Sequence, residues 1–288
     1  MISLAQKAGV AALSVTGCLG AESGEVDKGR YNLFDPTPRS LMRPLAADRP
    51  DKTESPFTVD AGHFQLEMDE LNYTYDRHNS ARSDTRVETV AIAPFNLKLG
   101  LCNSADLQFL FEPYVHIRTH ELAPDAVNNQ SGSGDMIIRT KVNFWGNDGG
   151  KTAFAMMPFI KLPANQNQIG NNAYEGGVIL PLAVGLPRGW GMGLMAEVDL
   201  NSNLRSRGHH AEFVQSITFS HRLAGKLSGY AEFFSALSTE SHSPWEATAD
   251  CGLTYLLGEN VQLDAGVNLG LTRSADDINC FTGISWRF

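Results

Sequence analysis

The chain has 288 residues, of which 19% are charged, and its formal net charge is −9. The sequence contains no basic run that could neutralise phosphates, which argues against a nucleic-acid partner. It also lacks an uninterrupted apolar stretch close to the roughly 18 residues that a transmembrane helix requires. If the chain spans a membrane, it must therefore do so as a β-barrel.

Residues 1–21 resemble an export signal, in which Lys7 precedes the weakly apolar residues 8–17 and small residues follow. Residues 15–18, with the sequence VTGC, also resemble a bacterial lipobox. In that case Cys18 would be lipidated and would become the mature N-terminus. Alternatively, Cys18 is a leader residue that is removed by cleavage nearer to Ala21. Both alternatives predict that the chain leaves the cytoplasm.

Residues 22–57 are rich in proline, aspartate and arginine and show no hydrophobic periodicity, as residues 48–56 (DRPDKTESP) illustrate. Such a composition is typical of a segment with little regular structure. We therefore predict an exported, periplasmic N-terminal segment that precedes the folded domain.

From His63 onward the chain alternates between apolar and polar side chains. In residues 106–118, for example, Leu107 and Phe109 alternate with Gln108 and Leu110, which is the period of a β-strand and not of a helix. We identify twelve such runs, each close to the 9–11 residues of a tilted transmembrane strand or slightly longer. They cover residues 63–77, 84–100, 105–118, 134–145, 151–163, 174–186, 190–201, 209–222, 226–238, 246–257, 261–272 and 278–288.

The connections between these runs alternate in length. The short ones are residues 101–104, 146–150, 187–189, 223–225 and 258–260, whereas residues 119–133 and 202–208 are longer and more polar. Short turns on one side and long loops on the other are typical of outer-membrane barrels, whose short turns face the periplasm. We therefore predict an all-β fold, a single antiparallel transmembrane β-barrel of about twelve strands over residues 58–288. Its expected location is the outer membrane of a Gram-negative-type bacterium, with both termini in the periplasm.

The C-terminal residues place Trp286 and Phe288 on one face of the last strand and Gly283 and Arg287 on the other. An aromatic residue at the end of the chain suits a barrel strand that finishes in an aromatic girdle. Gly283, Trp286 and Phe288 are therefore predicted to form an assembly signal. The last strand is expected to close against the first strand near Phe64.

If lipid contacts the apolar face of each strand, the opposite face lines the lumen. The side chains predicted to line the pore are all charged except for one histidine, and acids outnumber bases. They are Glu67, Asp69, Arg86, Glu88, Lys98, Glu112, His116, Arg118, Asp135, Arg139, Lys141, Lys161, Glu175, Glu197, Asp199, Glu212, Arg222, Glu232, Asp250, Asp264 and Arg287. A hydrated conduit can hold such groups at low cost and would favour neutral or cationic solutes. Alternatively, these groups pair across a narrow barrel and close it, because a barrel of this size lies between filled and open barrels.

Some positions on the predicted lumenal face are apolar. They could form a patch for hydrophobic solutes, or they could pack against a plug formed by the N-terminal segment. They are Leu110, Ile137, Met157, Phe159, Ile179, Phe234 and Phe281. Pro94, Pro113, Pro158 and Pro181 fall inside predicted strands, where each removes a donor from the ladder. We expect them to mark bulges that bend the wall, and a lateral gap at one of them is a further alternative.

The sequence contains no GxSxG, HExxH, P-loop or GxGxxG pattern. The cysteines that follow Cys18 also lack the spacing of a metal or redox motif, so no metal and no cofactor are predicted. A minor alternative is an outer-membrane hydrolase that uses Ser216 or Ser220 with His221. Another alternative is an exported soluble β-sandwich or lipocalin-like binder, which would need a second layer to bury the apolar faces.

Three stretches of the sequence form a specific set. They are residues 48–67 (with DRPD, TESP and GHFQLE), residues 132–147 (with GSGD and WGN) and residues 158–182 (with PFIKLP, EGG and LPL). As a set they resemble the bacterial outer-membrane transporter family associated with the meta-pathway of phenol degradation. The resemblance implies an outer-membrane barrel that imports small molecules, aromatic ones among them, and it brings no catalytic residues.

The sequence thus predicts an outer-membrane channel or transporter for small solutes, hydrophobic or aromatic ones among them. The main alternative is a non-conducting structural or binding barrel with an ion-paired, plugged lumen. The expected partners are a small-molecule solute, outer-membrane lipids and the barrel-assembly machinery.

Overall fold

The computed structural model describes residues 27–79, 82, 84–123, 125–203, 206–241 and 243–288. The predicted export signal, including Cys18, lies outside these residues. Within the described residues, no helix is both long and apolar enough to cross a membrane.

The described residues form fifteen β segments, all paired antiparallel, and two 3₁₀ turns at Arg39–Leu41 and Pro187–Gly189. The segments are β1 (Phe64–Asp76), β2 (Thr85–Ile92), β3 (Phe95–Cys102), β4 (Ala105–Phe111), β5 (Tyr114–Leu122), β6 (Asp125–Gly132), β7 (Met136–Trp145), β8 (Thr152–Leu162), β9 (Glu175–Gly185), β10 (Trp190–Ser202), β11 (His209–Ala224), β12 (Leu227–Ser238), β13 (Glu246–Leu256), β14 (Val261–Gly270) and β15 (Ile278–Arg287).

The sheet closes on itself because β15 pairs with both β14 and β1. Leu66 lies opposite Trp286 in this closing pair. Beside it, the amide of Phe64 donates to the carbonyl of Phe288 at 3.1 Å, and the amide of Phe288 donates to the carbonyl of Phe64 at 2.9 Å. The two phenyl rings stack with centroids 5.7 Å apart. The predicted closure of the last strand against the first near Phe64 is confirmed.

The fifteen segments make twelve barrel strands, because three strands are each divided into two segments. β2 and β3 pair with successive parts of β1, β5 pairs with β2, and β4 pairs with β3. In the same way, β6 pairs with β5 and β7 pairs with β4. The predicted all-β antiparallel barrel of about twelve strands is therefore confirmed.

The two ends of the barrel differ in their connections. Five short turns follow β3, β7, β9, β11 and β13, where the sequence predicts them, and the C-terminus lies at the same end. We call this end the terminal end and the opposite one the loop end. Residues 27–42 lie at the terminal end, where Asn32 forms a bridge with Cys102 in the turn after β3.

Residues 119–133, predicted as a long loop, instead form most of a hairpin between β5 and β6. The hairpin turns between Leu122 and Asp125. Most side chains of β6 are exposed. A strand that stands clear of both lipid and core carries no alternating apolar residues, so periodicity could not reveal it.

The three divided strands are interrupted side by side, at residues 93–94, 112–113 and 133–135, which we call the break line. Ile92 pairs with Tyr114 on one side of the line, and Phe95 pairs with Phe111 on the other. Two of the interruptions contain a proline, which cannot donate to the ladder. Ala93 adopts a positive φ of 56°, which re-aims the strand. Each interruption shifts the inward and outward alternation by one residue.

This shift corrects the assignment of four predicted pore-lining residues. Arg86, Glu88, His116 and Arg118 lie on the outer face of the β2–β5–β6 sheet, in line with the exposed side chains of Ile92 and Tyr114. The inner face there is buried and mostly apolar. Val87, Ala91, Val115 and Ile117 pack with Ile169, and Thr89 lies on the same face. Apolar inside and polar outside is the pattern of a sheet whose outer face meets water.

Candidate functional site

Residues 43–60 pass through the terminal half of the lumen, and we call them the plug. The plug has no regular structure, so its backbone amides need partners from elsewhere. Carboxylates of the wall accept several of them: Asp48 N donates to Glu67 Oε2 at 2.8 Å, and Val59 N donates to Asp106 Oδ2 at 3.0 Å. The inward polar side chains of the strands therefore accept the backbone amides that a β-ladder would otherwise pair.

Arg49 joins the plug to the closing strands of the barrel. Its Nε donates to Asp264 at 3.1 Å and its Nη2 donates to the same carboxylate at 2.6 Å, while Nη1 forms an ion pair with Asp69. The guanidinium also lies over the ring of Phe281 at 5.7 Å. Arg49 thus explains why Phe281, an aromatic residue, faces inward near the start of β15.

A second charged cluster lies across the lumen on β3 and β7. Asp48 forms ion pairs with Lys98 and with Lys141, the latter at 2.6 Å. Burial by itself raises the pKa of the Asp48 carboxyl, but Lys141 and Lys98 outweigh it and hold that pKa below its usual range. Glu54 forms a bidentate contact with Arg139, at 2.5 and 3.1 Å. Opposite charges therefore hold both ends of residues 48–54.

The plug fills the terminal half of the lumen. Lys98, Lys141, Gln65 and Gln108 project inward there and are all less than 2% exposed. At the rim, Arg287 Nη1 donates to the carbonyl of Arg43 at 2.8 Å. The predicted pore-lining residues that contact the plug are Glu67, Asp69, Lys98, Arg139, Lys141, Glu232, Asp250, Asp264 and Arg287.

Further predicted lumenal residues lie in the loop half of the lumen or on β10 and β11. Glu112, Glu175 and Glu212 line the loop half of the lumen, where Lys161 bridges Asp135 at 3.3 Å and Glu175 at 2.6 Å. Glu197 and Asp199 are buried on the inner face of β10. Arg222, on β11, is exposed near the terminal end.

A cavity of about 670 Å³, which we call the vestibule, occupies the loop half of the lumen. Arg49, Pro50 and Lys52 of the plug form its floor. Of the described residues that line it, eight are aspartate or glutamate and three are lysine or arginine. An excess of carboxylates in a concave site raises the local concentration of cations and lowers that of anions.

An apolar stripe crosses the inner wall on five neighbouring strands, β8 to β12. It consists of Met157, Ile179, Met195, Val214 and Ala236, with Phe159 and Phe234 packed against it. The amide of Glu54 lies 3.4 Å from the sulfur of Met195, so the plug rests on the stripe. Val214, Phe234 and Ala236 also line the vestibule. The stripe therefore runs from the vestibule to the plug.

The connection between β8 and β9, residues 163–174, folds into the lumen, and we call it the inward loop. The amide of Gln166 donates to the carbonyl of Ser133 at 3.0 Å, and Asn167 Nδ2 donates to the carbonyl of Ser131 at 2.7 Å. Ile169 is buried at 3% exposure and lines the vestibule. The polar sequence of this loop resembles that of an exposed one, so sequence analysis missed its role in the site.

The serine and histidine considered for a hydrolase do not form a pair. Ser220 is buried on the inner face of β11, whereas His221 lies on the outer face and packs against Trp190 at 4.7 Å. Ser216 instead lies 2.6 Å from the hydroxyl of Thr53 in the plug. Among the described residues, no group of three or more His, Cys, Asp or Glu side chains is placed to hold a metal ion.

Comparison with solved structures shows that the fold is that of outer-membrane barrels. An outer membrane channel from Pseudomonas putida F1 matches with a TM-score of 0.60 at 10% identity, over 84% of this chain and 100% of that one. The β domain of the Bordetella autotransporter BrkA has a TM-score of 0.48 at 12% identity, over 78% and 98% of the two chains. For the NanC porin the values are 0.47 and 9%, over 77% and 98%.

No curated protein matches the sequence at a significant level. A family model described as "Putative MetA-pathway of phenol degradation" matches residues 47–288. The match covers residues 47–60 of the plug and all fifteen β segments, and the family resemblance seen in the sequence is confirmed. The chain therefore belongs to this family of the phenol degradation pathway.

Proposed function

We propose that the protein is a channel of the bacterial outer membrane that passes small neutral or cationic solutes, aromatic ones among them. The terminal end faces the periplasm and the vestibule faces the cell exterior. One observation carries the proposal: an acidic vestibule leads to a plug that is held by side-chain contacts. In the described part of the chain, no backbone hydrogen bond joins residues 43–60 to a strand. The plug can therefore move without breaking the barrel.

The outer surface supports a membrane location. Trp190, Tyr255, Trp286 and Phe288 are all more than 40% exposed around the terminal end. Aromatic side chains at that height form the girdle that anchors a barrel at the membrane interface. Further from this end, Leu180, Leu200 and other aliphatic side chains are exposed on the outer face, where lipid would cover them.

The lining of the vestibule supports the solute class. Its excess of carboxylates disfavours anions, while Phe234 and Phe281 present rings at its floor. The family description names a putative pathway that degrades an aromatic compound, which supports aromatic solutes. Neutral or cationic aromatic molecules fit both the charge and the apolar stripe.

A permanently closed, structural or binding barrel is the second candidate, and the buried ion pairs favour it. Breaking a buried pair by removing one partner costs about 3–5 kcal/mol, so several such pairs hold the plug strongly. The channel and the closed barrel differ in whether the plug moves to let a solute cross.

A reversible disulfide between the plug and the wall distinguishes the channel from the closed barrel. Thr53→Cys and Ser216→Cys place two thiols where the hydroxyls are 2.6 Å apart, in a protein whose Cys102, Cys251 and Cys280 are replaced by serine. We expect benzyltrimethylammonium, an aromatic cation that does not cross lipid unaided, to enter proteoliposomes when the pair is reduced and to be blocked when it is oxidised. Each single-cysteine variant should be insensitive to oxidation. Absence of uptake in every state, including the unsubstituted protein, would contradict the channel and support the closed barrel.

A further inference from the structure

The side chain of Lys52 leaves the plug and ends in a small site on β12 and β13. Its Nζ donates to Thr248 Oγ1 at 2.8 Å and lies 3.2 Å from Asp250 Oδ2. The same nitrogen lies 4.6 Å from the centre of the Phe234 ring. A carboxylate, a hydroxyl and the face of an aromatic ring are together a binding site for an ammonium group. We call these side chains, with Glu232, the ammonium site.

The site holds two carboxyl groups beside a single ammonium. Glu232 lies directly opposite Asp250 in the β12–β13 ladder. The carboxyl group of Glu232 accepts the backbone amides of Lys52 and Thr53 at 2.8 and 2.7 Å. Asp250 Oδ1 is buried and accepts no hydrogen bond from Lys52 or Thr248, whose contacts go to Oδ2. A cationic ligand that replaces the ammonium of Lys52 therefore finds partners already in place.

Among the contacts that fix the plug, the ammonium site is readily accessible from the vestibule. Lys52, Phe234 and Thr248 line the vestibule. The side chain of Lys52 is 17% exposed, whereas that of Arg49 is 3% exposed. A molecule in the vestibule therefore reaches Lys52 more readily than it reaches Arg49, which also lines the vestibule floor.

We propose that the ammonium site binds the ammonium group of an organic cation with a flat apolar body, and that this solute displaces Lys52. The proposal rests on the proposed function and names the solute class. The incoming ammonium donates to Asp250 and Thr248 and lies over Phe234, while its body packs on Val214 and Ala236. Displacement removes one contact of the plug, so binding shifts the plug toward release by as much as the solute favours the released state.

A neutral molecule of the same shape lacks the charge that pairs with Asp250, and an anion is repelled by Glu232 and Asp250. Three probes of one size therefore test the site: benzylammonium, benzyl alcohol and benzoate. Their binding is measured by titration calorimetry on the full-length protein in detergent. We expect the affinity order benzylammonium, then benzyl alcohol, then benzoate.

Lys52→Met keeps the length of the side chain and vacates the site. We expect it to raise the affinity for benzylammonium by about tenfold, the effect of freeing a hydrogen bond to a charged group, and to leave benzyl alcohol unchanged. Adding Asp250→Asn to Lys52→Met should reverse the gain. Heat-modifiable migration in gels checks that each variant retains its barrel.

Glu246→Gln is the matched control, because it makes the same acid-to-amide change at a vestibule residue outside the site. Added to Lys52→Met, it should leave the benzylammonium affinity within about twofold. The proposal is overturned if Lys52→Met does not tighten binding. It is also overturned if Glu246→Gln weakens binding as much as Asp250→Asn, since the effect would then come from the general charge of the vestibule.

Uptake by proteoliposomes separates this proposal from the channel itself. Entry of benzyltrimethylammonium without selective binding of benzylammonium would refute the ammonium site and leave the channel intact. Absence of all uptake, with binding that follows the Lys52→Met and Asp250→Asn pattern, would refute the channel and support the site in a binding barrel.

Discussion

Arg49 and Asp264 join the plug to β14 through two parallel hydrogen bonds, from Nε at 3.1 Å and from Nη2 at 2.6 Å. Arg49→Met keeps much of the side chain but leaves Asp264 and Asp69 without their cation. Loss of one partner in a buried pair costs about 3–5 kcal/mol, so we expect the plug to loosen. A cysteine at Thr53 should then react with a water-soluble thiol reagent, and single-channel conductance should rise.

Arg118→Met is the control for this change. Arg118 lies on the outer face, is 47% exposed in its side chain and pairs with Glu88 at 3.6 Å. Exposed pairs contribute about 0.2–1 kcal/mol, so the variant should behave like the unsubstituted protein. If Thr53→Cys is labelled equally in the Arg49→Met and Arg118→Met variants, Arg49 does not fix the plug in place.

Gly100 lies where the backbone of the plug comes closest to the wall. A Cβ at this position would collide with the backbone of Asp60 and would lie 2.8 Å from the carbonyl oxygen of Val59. Backbone atoms cannot turn away as a flexible side chain can, so Gly100→Ala should displace the end of the plug. The expected cost is about 1–3 kcal/mol, measured as a lower urea midpoint or as protease cleavage within residues 43–60.

Gly258→Ala provides the comparison, because no atom lies within 4 Å of a Cβ built there. It should leave the urea midpoint and the protease pattern unchanged. If Gly258→Ala were as harmful as Gly100→Ala, the loss would reflect a general intolerance of the barrel to alanine and not the approach of the plug.

The break line predicts which acids affect ion selectivity. Glu112 lines the vestibule, whereas Glu88 lies on the outer face above the break line. Glu112→Gln should therefore reduce cation selectivity, measured as a smaller reversal potential in a salt gradient. Glu88→Gln makes the same chemical change and should not shift that potential. An equal shift in both variants would place Glu88 back in the lumen.

The sequence predicted most of the barrel because lipid and lumen impose opposite demands on alternate residues. This alternation correctly predicts that Lys98, Lys141 and Asp264 face the lumen. It fails on the loop side of Pro94 and Pro113. There the outer face is polar and the inner face is apolar, and the change coincides with a one-residue shift that periodicity alone cannot detect. Alternation continues in the sequence across each break, so it predicts the wrong face for Arg86 and His116.

The plug was predictable only as an alternative. Residues 48–56 carry charges but no period, and nothing local to them specifies their partners. The ion pairs of Asp48 join it to Lys98 and Lys141, which are 50 and 93 residues away in sequence. Such contacts depend on the register of strands around the whole barrel, which a single sequence does not determine.

The last residue tests the assembly signal. Phe288 stacks on Phe64 and packs against Trp286, with ring centroids 5.7 and 5.1 Å apart. Phe288→Ala removes both ring contacts and keeps the two backbone bonds to Phe64, so we expect slower assembly and a smaller heat-modifiable fraction in the membrane. Phe34→Ala removes a ring that is 93% exposed and should have no such effect. Deletion of Phe288 removes the backbone bonds as well and should impair assembly further while leaving export intact. A normal heat-modifiable barrel in the deletion variant would show that the last residue does not contribute to closure.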